Sequence, residues 1–138
     1  MSRRRDERGA ATIFLIGMAI VLLVAAGLVI DGGLAINARM KVADDAEQAA
    51  RAGADAIDLN ALRNAGEVTI DPSLAHSNAT DYLADLGYGS GQYNVTVAGD
   101  SVDVTVRDRV GTSLLELVNI SNFDVQANAS ASPLTGPN

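Results

Sequence analysis

AATIFLIGMAIVLLVAAGLVI, residues 10–30, contains twenty-one residues with no charged side chain and one hydroxyl group, at Thr12. A helix that crosses the hydrocarbon core of a bilayer needs roughly 20 apolar residues, because each residue advances about 1.5 Å. A helix also satisfies every backbone hydrogen bond internally, which a single extended segment cannot do in lipid. The segment therefore predicts a single-pass transmembrane helix over residues 10–30, and the rest of the chain is interpreted as a domain attached to a membrane.

The charge on either side of this segment predicts its orientation. The tail 1–9 carries four arginines against Asp6 and Glu7, for a net charge of +2, whereas the remainder from Asp31 onward carries −9. Short basic flanks stay in the cytoplasm, so we expect a cytoplasmic N-terminus and an extracytoplasmic C-terminal domain at the cell membrane. An acidic domain with few aromatic residues also argues against nucleic-acid binding.

A cleaved secretory signal is the competing interpretation of the opening residues. Its basic region is present, and Val24-Ala25-Ala26 before Gly27 is an acceptable cleavage site. The apolar character continues to Ile30, however, which makes the core longer than a signal requires. This length favours an uncleaved anchor.

An alanine-rich helix is predicted for the next segment, residues 31–63. Asp31 is interpreted as the first solvated residue after the bilayer. Gly32 and Gly33 either end the helix or form a candidate hinge in a longer one, since glycine weakens a helix by about 1 kcal/mol relative to alanine. From Leu34 to about Leu62, apolar residues recur at helical spacing and predict one packing face. That face comprises Ile36, Met40, Ala43, Ala50, Ala54 and Ile57.

A small α+β domain is predicted over 64–132, followed by a flexible tail over 133–138. Asp71-Pro72 is a helix start signal. Alternation over 93–97 and 102–106 predicts a hairpin with a type II′ turn at Gly99-Asp100, in the register Tyr93–Val106, Val95–Val104 and Val97–Val102. A short helix over 113–118, with Ser113 and Glu116 as a capping box, and a third strand over 123–131 complete an antiparallel three-stranded sheet.

Catalytic chemistry has no visible basis in the sequence. The chain has no cysteine, one histidine (His76), and no G-x-S-x-G or phosphate-binding motif. The acidic cluster Asp44, Asp45 and Glu47 lies on a predicted helix whose neighbouring residues point about 100° apart, so a solvated surface is favoured over a metal site. We predict no enzyme activity, no catalytic, cofactor-binding or metal-binding residues, no cofactor and no small-molecule substrate.

The chain resembles TadE/TadG-like pilus-assembly proteins of tight-adherence (Flp) pilus systems. The resemblance rests on residues 3–58, RRRDERGAATIFLIGMAIVLLVAAGLVIDGGLAINARMKVADDAEQAARAGADAID. Its main features are the basic tail, Arg8-Gly9 at the membrane entry, Asp31-Gly32-Gly33, Arg39, and AEQAARAGA (residues 46–54). The stretches VTVAGDSVDVTVRDRVGTSLLELV and FDVQANASASP are similar to actinobacterial members of the group.

The resemblance implies a membrane-anchored pseudopilin-like or minor-pilin-like component, or an assembly factor, with a pilin-like layout. It implies that other pilus and assembly subunits are partners through helix packing, so arginine at Ala50 or Ala54 is expected to break association. It also implies Gly9-Ala10 as the processing site, although Phe14 stands where processed members carry glutamate. The alternative is a membrane-tethered extracellular binding or adhesion domain unrelated to a fibre.

Overall fold

The computed structural model describes residues 4–133, with side chains from Gly9 onward. The elements in chain order are α1 (Arg4–Ala54), α2 (Leu59–Ala65), α3 (Pro72–Asp85), β1 (Tyr93–Ala98), β2 (Ser101–Gly111), a 3-10 turn (Leu115–Val118) and β3 (Asn122–Ala131). The strands form one antiparallel sheet in the order β1-β2-β3. The predicted α+β class, with a long apolar N-terminal helix before a three-stranded sheet, is thereby confirmed. The tail predicted over 133–138 lies, from residue 134 onward, outside the described residues.

These elements divide into two compact units. One comprises α1 up to Ile36 together with Val110–Phe123, and we call it the anchor unit. The other comprises Asn37–Arg109 together with β3 from Asp124 onward, and we call it the sheet unit.

The anchor unit contains the apolar segment predicted to cross the membrane. Within the described chain, α1 is the one helix long and apolar enough to do so, with a mean hydropathy of 3.1 over its best 18-residue window. Its large side chains point outward: Phe14, Leu15 and Val29 are all more than two-thirds exposed. A helix with apolar side chains on every side is stable when lipid surrounds it.

The sheet unit is packed on the small side chains of α1. Val42, Ala46, Ala49 and Ala50 are fully buried or nearly so, and they occupy positions i, i+4, i+7 and i+8 along one helix face. Gly53 continues this face, and a Cβ atom built there would lie 2.8 Å from Val102 Cγ1 and 3.0 Å from the Ala75 carbonyl oxygen. Both the sheet and α3 therefore approach the α1 backbone at Gly53.

The single helix predicted from Leu34 to about Leu62 is wrong, because α1 ends at Ala54 and α2 begins at Leu59. Between them the chain is extended: Asp58 N–H donates to the Thr69 carbonyl at 2.8 Å, and Asp71 N–H donates to the Ala56 carbonyl at 2.8 Å. The Asp58 carboxylate then caps α2 by accepting from two backbone N–H groups. Long-range backbone pairing has overridden the helix propensity of the alanines.

The predicted start of α3 and the predicted hairpin agree with the structure. The Asp71 carboxylate accepts from Ser73 N–H at 3.0 Å and Leu74 N–H at 3.1 Å, and Pro72 is the first helical residue. The strand register is the predicted one, Tyr93 opposite Val106, Val95 opposite Val104 and Val97 opposite Val102. Gly99 has φ +59 while Asp100 does not have positive φ, as a type II′ turn requires.

The predicted helix-packing face divides into residues of two kinds. Ala50 and Ala54 are buried in the sheet unit, whereas Ile36, Met40 and Ala43 are exposed. The remaining member, Ile57, lies beyond the end of α1 and pairs with Ile70 in an isolated bridge. Arginine at Ala50 or Ala54 therefore does not probe association alone, because it would disrupt the core of the sheet unit itself.

Close packing at Gly53 leads to a first prediction. Gly53→Ala should lower the free energy of unfolding by about 1–3 kcal/mol, because the new methyl group overlaps Val102 and the Ala75 backbone. The matched control is Gly33→Ala, another α1 glycine, where an added Cβ meets nothing within 4 Å. Urea unfolding of the full chain in detergent micelles measures both. Equal stability of the two variants would contradict the packing argument.

Candidate membrane anchor and assembly surface

The site begins at the residues that enter and leave the predicted membrane span. Gly9 and Ala10, the predicted processing site, are exposed and helical. Gly32 and Gly33, the predicted hinge, lie within the continuous α-helix, with open space where each Cβ would be. Gly33 is exposed and Gly32 is half-buried, and both remain part of the helix without a tightly packed neighbour.

Asp31 accepts three backbone hydrogen bonds within the anchor unit. Its Oδ1 accepts from Ser113 N–H at 2.9 Å, and its Oδ2 accepts from Leu114 N–H at 3.0 Å and Leu115 N–H at 2.7 Å. The residue is only 1% exposed. Its carboxylate therefore joins α1 to a segment more than eighty residues away in the chain.

This arrangement corrects two sequence-based interpretations. Asp31 is not a solvated residue after the span, because it is buried and fully hydrogen-bonded. The predicted capping box is also absent: the 3-10 turn Leu115–Val118 has no side-chain cap from its preceding residue, and the Asp31 carboxylate binds the N–H groups at its start instead. Three charge-assisted hydrogen bonds compensate a carboxylate for the loss of water.

The exposed part of the predicted packing face follows Asp31 along α1. Ile36 is 64% exposed and Met40 61% exposed, and Ala43 next to them on the helix is exposed as well. Residues at positions i, i+4 and i+7 lie on one face of a helix. Apolar side chains of this size, exposed on a helix outside the predicted span, are candidates for contact with another protein.

Within the sheet unit, two carboxylates of the acidic cluster on α1 form hydrogen bonds and ion pairs with neighbouring side chains. Asp45 Oδ2 accepts from Lys41 Nζ at 2.8 Å and from Tyr88 Oη at 2.7 Å, and Lys41 Nζ lies 5.4 Å from the centre of the Tyr88 ring. Glu47 pairs with Arg51 one turn later. In the part of the chain with described side chains, no group of three histidine, cysteine, aspartate or glutamate residues is placed to hold a metal ion.

The Tyr88 hydroxyl is the most strongly perturbed group of this cluster. Burial raises the pKa of Tyr88 to about 12, and the hydrogen bond to Asp45 and the negative charge of that carboxylate contribute in the same direction. Tyr88 therefore remains a hydrogen-bond donor to Asp45 over the physiological pH range.

An open groove on the sheet unit has a volume of about 610 Å³. Arg107 Nε donates to Gln126 Oε1 at 2.9 Å, and Arg109 Nε forms an ion pair with Asp124 Oδ1 at 2.9 Å. The walls carry charges of both signs, so they favour no single class of ligand.

The fold and this site define a class of protein: an α+β domain whose N-terminal helix carries one candidate membrane anchor. Residues 9–56 match the family model described as putative Flp pilus-assembly TadE/G-like. This match covers 48 of the 138 residues; it confirms the resemblance drawn from the sequence and supports a Tad/Flp pilus-associated role. Searches of curated proteins and of solved structures returned no match.

The matched segment contains the predicted span, Asp31, both glycines of the predicted hinge and the exposed apolar residues Ile36, Met40 and Ala43 of α1. Together, the long apolar helix and the match indicate a single-pass membrane anchor in a pilus-related protein. The partners of Asp31, by contrast, lie outside residues 9–56. Sequence reasoning missed them because no local pattern links a carboxylate to N–H groups eighty residues away.

The Asp31 network leads to a prediction about Asp31→Ala. Removing the acceptor leaves N–H groups of Ser113, Leu114 and Leu115 without a partner, at a cost of roughly 1–3 kcal/mol for each one that stays buried. We expect amide hydrogen exchange at these three residues to accelerate strongly. Asp31→Asn, which retains one acceptor oxygen, should show an intermediate rate. Unchanged exchange in the alanine variant would show that the carboxylate does not hold this segment.

A pH prediction follows from Tyr88. Its pKa is raised on folding from about 10 to about 12, so the stabilisation is fully present below pH 10 and is lost as pH rises to 12. The unfolding free energy of the full chain should therefore fall between these pH values. Tyr88→Phe should be less stable at neutral pH and should show a smaller fall. Identical pH profiles for the two proteins would exclude this role for Tyr88.

Proposed function

We propose that this protein is a non-catalytic, minor-pilin-like or pseudopilin-like component, or an assembly factor, of a Tad/Flp-type pilus. The observation that carries the proposal is the match of residues 9–56 to the TadE/G-like model, together with an exposed apolar helix face inside those residues. The matched family is one of pilus assembly, which supports a structural role.

In this proposal α1 holds the subunit in the cell membrane and then packs against other pilus or assembly subunits. Ile36, Met40 and Ala43 form the contact surface. The exposure of these side chains supports this assignment. Burying them against a partner would remove apolar surface from water, which is favourable by about 25 cal/mol per Å². Ala50, Ala54 and Ile57 are excluded from this surface because they are buried or half-buried in the sheet unit.

Orientation and processing form part of the same proposal. The basic tail places the N-terminus in the cytoplasm and the acidic domain outside. Cutting after Gly9 would leave the apolar span intact, whereas cutting near Ala26 would remove most of it. The intact mass of the purified chain separates these two products from an unprocessed protein.

Gly32 and Gly33 are proposed as the point where α1 bends during assembly. Neither position has a neighbour within 4 Å of a Cβ atom, and two glycines in succession reduce the stiffness of a helix. Alanine at both positions would therefore stiffen α1 without creating a clash.

The proposed surface predicts the behaviour of Ile36→Arg and Met40→Arg. An arginine left in an apolar contact should reduce co-purification with pilus subunits and assembly proteins by about tenfold or more, since even 1.4 kcal/mol is a factor of ten. Both positions are exposed, so the domain should still fold and insert. Quantitative pull-down from solubilised membranes, with membrane fractionation of the same cells, measures both properties.

Gln48→Arg is the matched control, because Gln48 is an exposed polar residue of α1 and the substitution adds the same charge. Association at the control level in both test variants would show that this face does not bind subunits. If the unmodified chain associates with no pilus or assembly protein, the alternative of a membrane-tethered binding or adhesion domain is favoured instead.

A further inference from the structure

The segment that joins β2 to β3 is apolar and contains no cation. Residues 113–120 read SLLELVNI, with Glu116 as the one charged side chain. Leu115 is buried, but Leu117 is 70% exposed, and Val118 and Ile120 are each more than two-fifths exposed. We call Leu117, Val118 and Ile120 the loop tip. Three exposed aliphatic side chains within four residues are unfavourable in water.

Several backbone groups of this segment are already satisfied internally. Leu117 N–H donates to the Leu114 carbonyl, Asn119 N–H to the Glu116 carbonyl, and Ile120 N–H to the Leu115 carbonyl, at 3.0–3.2 Å. The Asp31 carboxylate accepts hydrogen bonds from the backbone N–H groups of residues 113–115. A segment with its backbone satisfied in this way can enter an apolar environment at low cost.

The segment also lies beside residues of the predicted span. A Cβ atom built on Gly27 would be 3.2 Å from Leu114 Cβ and 3.4 Å from Leu115 Cδ2, so these side chains contact α1 at Gly27. Gly27 is one helical turn, about 6 Å, before Asp31 and lies inside the apolar segment 10–30. Within the anchor unit, the segment is thus held at the depth where α1 leaves the bilayer.

We propose that the loop tip is a second membrane contact, which inserts into the interfacial layer of the leaflet from which α1 emerges. The apolar side chains of Leu117, Val118 and Ile120 enter the boundary between headgroups and acyl chains, as the apolar face of an interfacial helix does. Because no lysine or arginine lies in residues 110–123, the contact needs no anionic lipid. The proposal rests on the membrane anchor and is independent of the pilus role.

Single-cysteine labelling tests this contact, because the chain contains no native cysteine. The full chain is reconstituted in phosphatidylcholine vesicles with an environment-sensitive fluorophore at Leu117→Cys or, separately, at Ile120→Cys. Both residues are exposed, so labelling should not disturb the fold. We expect quenching by brominated phosphatidylcholine, protection from aqueous iodide, and no change when anionic lipid is added.

Two further labels make the outcome decisive. Ile16→Cys, inside the span, should be quenched by brominated lipid more strongly than the loop tip, and Glu116→Cys, at the charged position of the same turn, should be quenched less. Loop-tip labels that iodide quenches and lipid does not would overturn the proposal. Protection from both quenchers would also overturn it, since it would mean burial against protein. Failure of the Ile16 label to reach lipid would remove the anchor and the proposal together.

Discussion

Both units depend on close packing against the backbone of α1 at a glycine, where no side chain holds the neighbouring segment away. In the sheet unit, Gly53 admits Val102 and the Ala75 carbonyl to distances that no Cβ atom would allow. In the anchor unit, Leu114 and Leu115 also pack against the backbone at Gly27, but less tightly, since an added Cβ atom would lie 3.2 Å and 3.4 Å from them. Alanine lowers the stability of a helix little, whereas each glycine lowers it by about 1 kcal/mol. The close packing at Gly27 and Gly53 therefore comes with a modest loss of helix stability.

Asp31 adds a polar contact to the packing at Gly27. A buried carboxylate is stable when hydrogen-bond donors replace the water it has lost, and here the donors are backbone N–H groups at the start of a 3-10 turn. Gly27 and Asp31 are one turn apart on α1 and contact the same segment. Together they attach the segment between β2 and β3 to the part of α1 where the apolar span ends. This attachment is the observation behind the proposed second membrane contact.

The alanine-rich part of α1 and the residues just before it include both buried and exposed apolar side chains. Its fully buried alanines, such as Ala46 and Ala50, are needed for the fold of the sheet unit. Ile36 and Met40 remain exposed on a neighbouring part of the same helix, within the residues that match the TadE/G-like model. A search for assembly contacts in this protein should therefore start from the exposed residues, although the alanines give the stronger pattern in the sequence.

The sequence by itself determined the features that depend on neighbouring residues: the apolar span, the capped start of α3 at Asp71, and the hairpin register around Gly99-Asp100. Periodicity, capping and turn geometry operate over a few residues, so they are visible in the chain. Only the tertiary structure decided that α1 ends at Ala54, that Ala50 is buried, and that Asp31 is a cap rather than a solvated residue. These outcomes depend on hydrogen bonds and close contacts between distant segments, which no local pattern encodes.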